Sequence, residues 1–256
     1  MASSAFEGME YPIKGVFSTD REMKIGFGAT KRTVTQSVLV FVEQDAEGCL
    51  WGQGINANDV PSGDRYVITP DQLLNSYLPD PAIYHLRVLP AIRGLNKTIS
   101  RAERHRMHGE LYSAEYEFNN ALRIDEVNVR ATFGLGLVYL DRQDAEKAQF
   151  VFERLIHLDA AFESLHKHMF NEFGIKLRKN ALYAEALRFY GRALQLAGED
   201  DHLMYNIARS FLESGDNDGA RKYMSKALEL NPDLREARML KKYLEQGGEL
   251  APPESL

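Results

Sequence analysis

One spacing constrains this chain more than any other. Windows of 34 residues opening at 95, 129, 167 and 201 carry small residues at their eighth position, Ala102, Gly136, Gly174 and Ala208, and again at their twentieth, Ala114, Ala148, Ala186 and Ala220. The twenty-fourth position reads Phe118, Phe152, Tyr190 and Met224, and the twenty-seventh reads Ala121, Leu155, Ala193 and Ala227. Antiparallel helices approach closely only where one of them lacks bulk, and large side chains fill the holes beside the crossing. Each window therefore reads as a helix, a turn and a helix. Gly109, Gly215 and the polar stretches Arg142-Gln143-Asp144 and Lys179-Asn180 fall at the turns. Stripes such as Ile207, Ala208, Phe211 and Leu212, then Ala220, Tyr223, Met224, Ala227 and Leu228, recur at helical spacing. No single helix can bury such a stripe, so neighbouring units must stack.

The pattern resembles the tetratricopeptide repeat family, in which a bulky residue, Leu-Gly, Tyr, Ala, Phe, Ala and Pro stand at these offsets. The fourth window follows it through Ile207-Ala208, Phe211, Gly215, Ala220, Met224, Ala227 and Pro232, and the second adds Leu135-Gly136, Tyr139, Ala148 and Phe152. The first window departs at Arg101 and His105, which fits a terminal, capping repeat. The resemblance covers about residues 95–234. It implies a mainly α fold, an α-α superhelix of four repeats (95–128, 129–162, 167–200, 201–234) with a cap helix at 235–246 and a frayed tail at 247–256. The third window is displaced by Glu163-Ser164-Leu165-His166, close to one helical turn. The expectation is a first helix that starts early, near Ala161 or Phe162; a longer loop is the alternative.

Residues 1–94 change period. Thr33–Glu43 is β-branched and strand-like, with shorter strand candidates at Ile13–Ser18, Met23–Gly28, Cys49–Gly54 and Arg65–Ile68, so a small antiparallel sheet is expected. Asp45–Gly48 and Asn56–Gly63 punctuate it. Thr69-Pro70-Asp71-Gln72 has the cap, first-turn proline and reciprocal Gln of a helix start, and Asp80 stands ready to cap a second helix at Pro81.

Charge excludes several functions. The net charge is -6, and both parts share it: residues 1–94 hold eight basic and eleven acidic side chains, and 95–256 hold 23 and 26. No basic arm is available to neutralise phosphates, so nucleic acid is not the expected partner. The longest apolar run, Val38–Val42, is far short of a membrane span. The segment from Met1 to Pro12 lacks an apolar leader core, giving a cytoplasmic expectation. A single cysteine, Cys49, rules out an internal disulfide or a multi-thiolate zinc site.

The constellations that could carry chemistry are weak. Gly26-Phe27-Gly28-Ala29-Thr30-Lys31-Arg32 lacks the third glycine of a dinucleotide fingerprint and the lysine spacing of a P-loop. His105 with His108, and His166 with His168, have no accompanying carboxylates at ligand spacing. Arg101, Arg104, His105, Arg106 and His108 form a basic cluster relieved by Glu103 and Glu110, read as a solvated helix face with an anionic docking surface as the alternative. No nucleophile elbow or other hydrolytic signature is present. The reading is non-catalytic, without cofactor or metal.

The family resemblance implies that the first helix of each repeat lines a groove through its second, fifth, sixth, ninth and twelfth positions. Here these supply Arg130, Phe133, Leu137, His168, Asn171, Glu172, Ile175, Arg178, His202, Tyr205, Asn206 and Arg209. The expected function is an adaptor that holds a partner protein or an extended, acidic peptide. Asn171, Arg178, Asn206 and Arg209 are the expected donors, exposed enough that exchanging both arginines for glutamate leaves the fold intact; pairing of these arginines with Glu172 or Glu213 is the competing reading. The carboxylate clamp by which some family members bind a chaperone tail is not expected, since Ile99, Glu103, Gly134, His168 and Glu172 occupy its places. A secretion-type repeat chaperone, or a regulator responding to a nucleotide or small ligand through the N-terminal module, are the alternatives.

Overall fold

The computed structural model describes residues 12–25, 31–162 and 166–245. Residues 1–11, Gly26–Thr30 of the Gly26–Arg32 stretch, residues 163–165 of the insertion and residues 246–256 lie outside the described residues. The chain divides into two compact units. The first extends to Arg101 and takes in Asn119–Asn128; the second holds Ala102–Phe118 and the chain from Val129 onward.

The first unit is built on an antiparallel sheet ordered β4-β3-β2-β1-β5, with β1 at Lys14–Ile25, β2 at Arg32–Gln44, β3 at Leu50–Gly54, β4 at Tyr66–Ile68 and β5 at Leu78–Pro79. The expected strand Ile13–Ser18 and the described part of Met23–Gly28, up to Ile25, belong to one strand; residues 26–28 lie outside the described residues. Every residue of β1 has a β2 partner, from Lys14 opposite Glu43 to Ile25 opposite Arg32, so pairing carries the strand through the polar stretch Thr19–Glu22 where the apolar pattern lapses. The continuous apolar run of β2 follows from burial on both faces. Val40 and Val42 join Leu50, Ile68 and Leu73 in one core. Phe41 joins Val16 and Val88 in another. Helix α1, Pro70–Ser76, opens with the expected capping box: the Thr69 hydroxyl accepts from the Gln72 amide at 3.2 Å, and the Gln72 side chain accepts from the Thr69 amide at 2.9 Å. Asp80 caps α2, Pro81–Ile83, and a π turn over Tyr84–Val88 delivers Val88 to the second core.

Asn119–Asn128 belongs to this unit because the Asn56–Gly63 loop holds it. The Asn56 and Asn58 side-chain amides donate to the Ile124 carbonyl at 2.8 and 2.9 Å, and the Ser62 hydroxyl donates to Asp125 Oδ1 at 2.6 Å. The Ile124 carbonyl is one of the C-terminal carbonyls of α4, Leu111–Ile124, which a helix cannot satisfy internally, and Asp125 follows directly after it.

In the helices from α3 onward the repeat pattern becomes geometry. Helix α3 (Leu89–Met107) and α4 are followed by the pairs α5 (Val129–Asp141) with α6 (Ala145–Ile156), α7 (Lys167–Lys179) with α8 (Tyr183–Ala197), and α9 (Asp201–Glu213) with α10 (Asn217–Leu230), then α11 (Arg235–Glu245). The alanines at positions eight and twenty, Ala102, Ala114, Ala148, Ala186, Ala208 and Ala220, are all fully buried. A methyl group on Gly174 would lie 2.5 Å from the Tyr190 ring, and one on Gly136 would lie 2.6 Å from Phe173. Aromatic rings fill the flanking holes: Phe173 stands 5.8 Å from Phe133 and 5.3 Å from Phe189, centroid to centroid. Helix α5 is buried from Ala131 through Leu140, as its nearly uninterrupted apolar sequence requires.

The four turns between paired helices share one backbone device. The fifteenth position adopts positive φ in every repeat: 76° at Gly109, 57° at Gln143, 59° at Ala181 and 91° at Gly215. Two repeats thus use a residue with a Cβ where glycine costs nothing. Asp144, Asp200 and Asp216 cap the helices α6, α9 and α10. The expected early start of α7 is not observed. Asp159–Phe162 forms a separate 3-10 turn, and α7 begins at Lys167 with His166 as its N-cap.

Two glycines on neighbouring helices are predicted to respond oppositely. Gly174→Ala should destabilise by about 1–3 kcal/mol through overpacking against Tyr190, whereas Gly191→Ala, where a Cβ meets nothing within 4 Å, should stabilise by roughly 0.5–1 kcal/mol; urea titration separates them. Ala181→Gly should raise stability by about 1 kcal/mol by removing left-handed strain from an exposed turn.

Candidate functional site

The second unit contains a cleft of about 690 Å³ lined by the first helices of three successive pairs and by Phe118 of α4. Its floor is apolar: Phe118, Phe133, Gly134 and Leu137. Gly134 is required there, since a Cβ would fall 2.1 Å from the Phe118 ring. Met107 and Met169 stand at the margin, with Met107 82% exposed. The rest of the rim is ionic. Arg130 makes a bidentate pair with Glu103, at 2.7 and 2.6 Å, and Arg106 is bound to Glu172. His166 and His168 complete the lining. Desolvation and the neighbouring His168 hold His166 below the ordinary histidine value, so it remains neutral near pH 7.

The rim pairs belong to a ladder that joins successive first helices. Asp141 on α5 receives Arg106 Nε from α3 at 3.5 Å and Lys176 Nζ from α7 at 2.5 Å. Further along, Glu213 on α9 accepts from both Arg178 of α7 and Arg209 of its own helix, the latter at 2.7 and 3.0 Å. Arg209 also donates to the Tyr205 hydroxyl at 3.3 Å. Burial works against the charge on Arg209, but the Tyr205 and Glu213 contacts outweigh it and raise its pKa above the usual guanidinium value.

The expected groove residues separate into three groups. Arg130, Phe133, Leu137, His168 and Glu172 line the cleft together. Arg178, Tyr205, Asn206 and Arg209 do not present an open surface: they are 4%, 6%, 8% and 7% exposed. Tyr205 enters the core that α11 closes with Leu240 and Leu244, and both arginines are consumed by Glu213. The expectation that Arg178 and Arg209 stand as exposed donors is therefore corrected in favour of the internal pairing. Asn171 and Ile175 are half-buried, and His202 is exposed near the start of α9. Seven residues of the cleft lining are not among the expected groove residues: Glu103, Arg106, Met107, Phe118, Gly134, His166 and Met169. The same positional rule reaches three of them, since Glu103 and Arg106 are the ninth and twelfth residues of the first window and Gly134 is the sixth of the second. The other four have no such signal.

Other clusters are accounted for locally. His105 pairs with Glu110, and Arg106 of the basic cluster serves the cleft. Among the described residues no three His, Cys, Asp or Glu side chains gather in a form that could hold a metal ion, and no helix is long and apolar enough to cross a membrane.

Residues 177–243 match the family described as tetratricopeptide repeat. Over that stretch the chain carries tetratricopeptide repeats. Similar solved structures include PilF of Pseudomonas aeruginosa, at 20% identity and TM-score 0.48 over 61% of this chain and 69% of that one. YrrB, described as a TPR protein with an unusual peptide-binding site, is similar at 19% identity and TM-score 0.27 over 57% and 90% of the two chains. A thermophilic TPR protein of Thermus thermophilus is similar at 14% identity and TM-score 0.30 over 59% and 99%. No curated protein matches the chain. Tetratricopeptide-repeat proteins are generally non-catalytic scaffolds that bind protein or peptide partners.

Because Glu213 holds two buried guanidinium groups, Glu213→Gln is expected to cost about 3–5 kcal/mol, the penalty for removing one side of a buried ionic cluster. The double change Arg178→Glu with Arg209→Glu would place three carboxylates together in the same site. It is expected to unfold the last repeats, visible as loss of helical circular dichroism.

Proposed function

We propose that this chain is a non-catalytic, cytoplasmic adaptor that grips a partner protein by an extended peptide segment laid into the cleft of α3, α5 and α7. The observation that carries the reading is the cleft's composition, an apolar floor under a methionine and ion-pair rim. An unbranched thioether adapts to differently shaped apolar side chains, so Met107 and Met169 suit a surface that receives an anchor residue. The rim sets two arginines against two glutamates. An acidic group on the partner would engage Arg106 or Arg130 by displacing Glu172 or Glu103, so recognition rests on apolar fill first and on charge exchange second. Residues 95–246 form the binding domain in this reading, and residues 1–94 are a module with a separate task.

A photo-crosslinking residue placed at His168, on the cleft, should capture the partner from host extract, while the same group at Tyr116, an exposed position that does not line the cleft, should not. Equal capture from both positions, or capture from Tyr116 alone, would show that the cleft is not the binding surface. The double change Met107→Glu with Met169→Glu should lower capture at least tenfold, equivalent to about 1.4 kcal/mol, with stability altered by only about 0.5 kcal/mol for each side chain.

A further inference from the structure

Strand β2 is thirteen residues long, but β3 pairs with only Val40–Gln44 of it. Among the described residues, Arg32–Leu39 therefore has β1 on one side and no strand on the other. Arg32 through Ser37 are exposed on both faces. The opposite border of this hairpin arm, where β5 meets β1 at Phe17 and Ser18 only, runs on through Asp20, Arg21 and Glu22. Charged side chains in succession are the usual protection of a strand edge against pairing. The β2 edge has none of that protection. From Thr33 to Val38 it reads Thr-Val-Thr-Gln-Ser-Val, without charge, proline or glycine and rich in β-branched residues.

An unpaired row of backbone donors and acceptors of this length calls for another strand, and the side chains fit a second copy of the same one. Thr33, Thr35 and Ser37 share one face of β2 by alternation. In an antiparallel self-pairing with its two-fold axis at Thr35, Thr35 stands opposite its own copy and Thr33 opposite Ser37, so hydroxyl faces hydroxyl at every place on that face. On the other face Val34 stands opposite Gln36 and Arg32 opposite Val38, and no two charges meet. The pairing uses Arg32–Val38 and ends before Val40, where β3 takes over the edge. A two-fold contact of this kind closes on itself and stops at a dimer. We propose that the chain forms a homodimer by antiparallel pairing of the free β2 edges, centred on Thr35.

The test uses the full chain in sedimentation equilibrium between about 1 and 200 µM. Wild type should pass from monomer to dimer in this range. Thr35→Lys and Thr35→Glu, each placing like charges opposite one another on the axis, should remain monomeric with unchanged circular dichroism. An equimolar mixture of the two variants should recover the dimer, because lysine then faces glutamate, and this recovery also shows that neither variant is misfolded. A wild type that stays monomeric to the top of the range would overturn the proposal. So would a dimer that survives Thr35→Lys, which would place the interface elsewhere, or a mixture that fails to associate.

Discussion

Close approach of paired helices at positions without side-chain bulk is the constraint on which the rest of the helical unit depends. Ala102, Ala114, Ala148, Ala186, Ala208 and Ala220 are fully buried, and Gly136 and Gly174 receive aromatic rings where a methyl group would collide. Only with the backbones this near can Phe118, Phe133, Phe152, Phe173, Phe189 and Tyr190 all be removed from water. The cleft is a by-product of the same economy of volume. Gly134 gives the Phe118 ring its place, and the pair make part of the floor on which the proposed anchor residue would sit.

Over this apolar scaffold lies a layer of ionic contacts running from helix to helix. Arg106 reaches both Asp141 and Glu172, Lys176 reaches Asp141, and Arg178 reaches Glu213, so α3, α5, α7 and α9 are linked in sequence. Exposed pairs of this kind add little stability singly, while those shielded from water, such as Arg178 with Glu213, fix orientation and are costly to break. The ionic side chains around the cleft are thus paired with one another, which in the proposed role favours shape over net charge as the means of selection.

The periodicity was sufficient to read the helices because small residues at crossings are a local property of sequence. The same held for Thr69 with Gln72 and for Asp80, whose capping geometry lies within a few residues. Depth was not legible in this way. A positional rule says which way Arg209 points, but not that Glu213 and Tyr205 will enclose it or that α11 will complete the core beside it. The continuity of β1 was hidden for a related reason: the polar residues Thr19–Glu22 are held in a strand by their β2 partners Val38 to Thr35, and pairing at a distance leaves no mark on the residues themselves.

The amide groups of Asn56 and Asn58 that close the end of α4 give the array a direction. In a stack of repeats each unit is normally supported only by its neighbours, so unravelling can begin at either end. Here the last turn of α4 is satisfied by side chains 68 and 66 residues earlier in the chain, and the turn after it is held by Ser62. The last described helix, α11, is held through Ala237, Leu240 and Leu244. Thermal opening, as amide exchange would record it, therefore begins at α11 and travels toward α4, leaving the three pairs that line the cleft among the last to lose their protection.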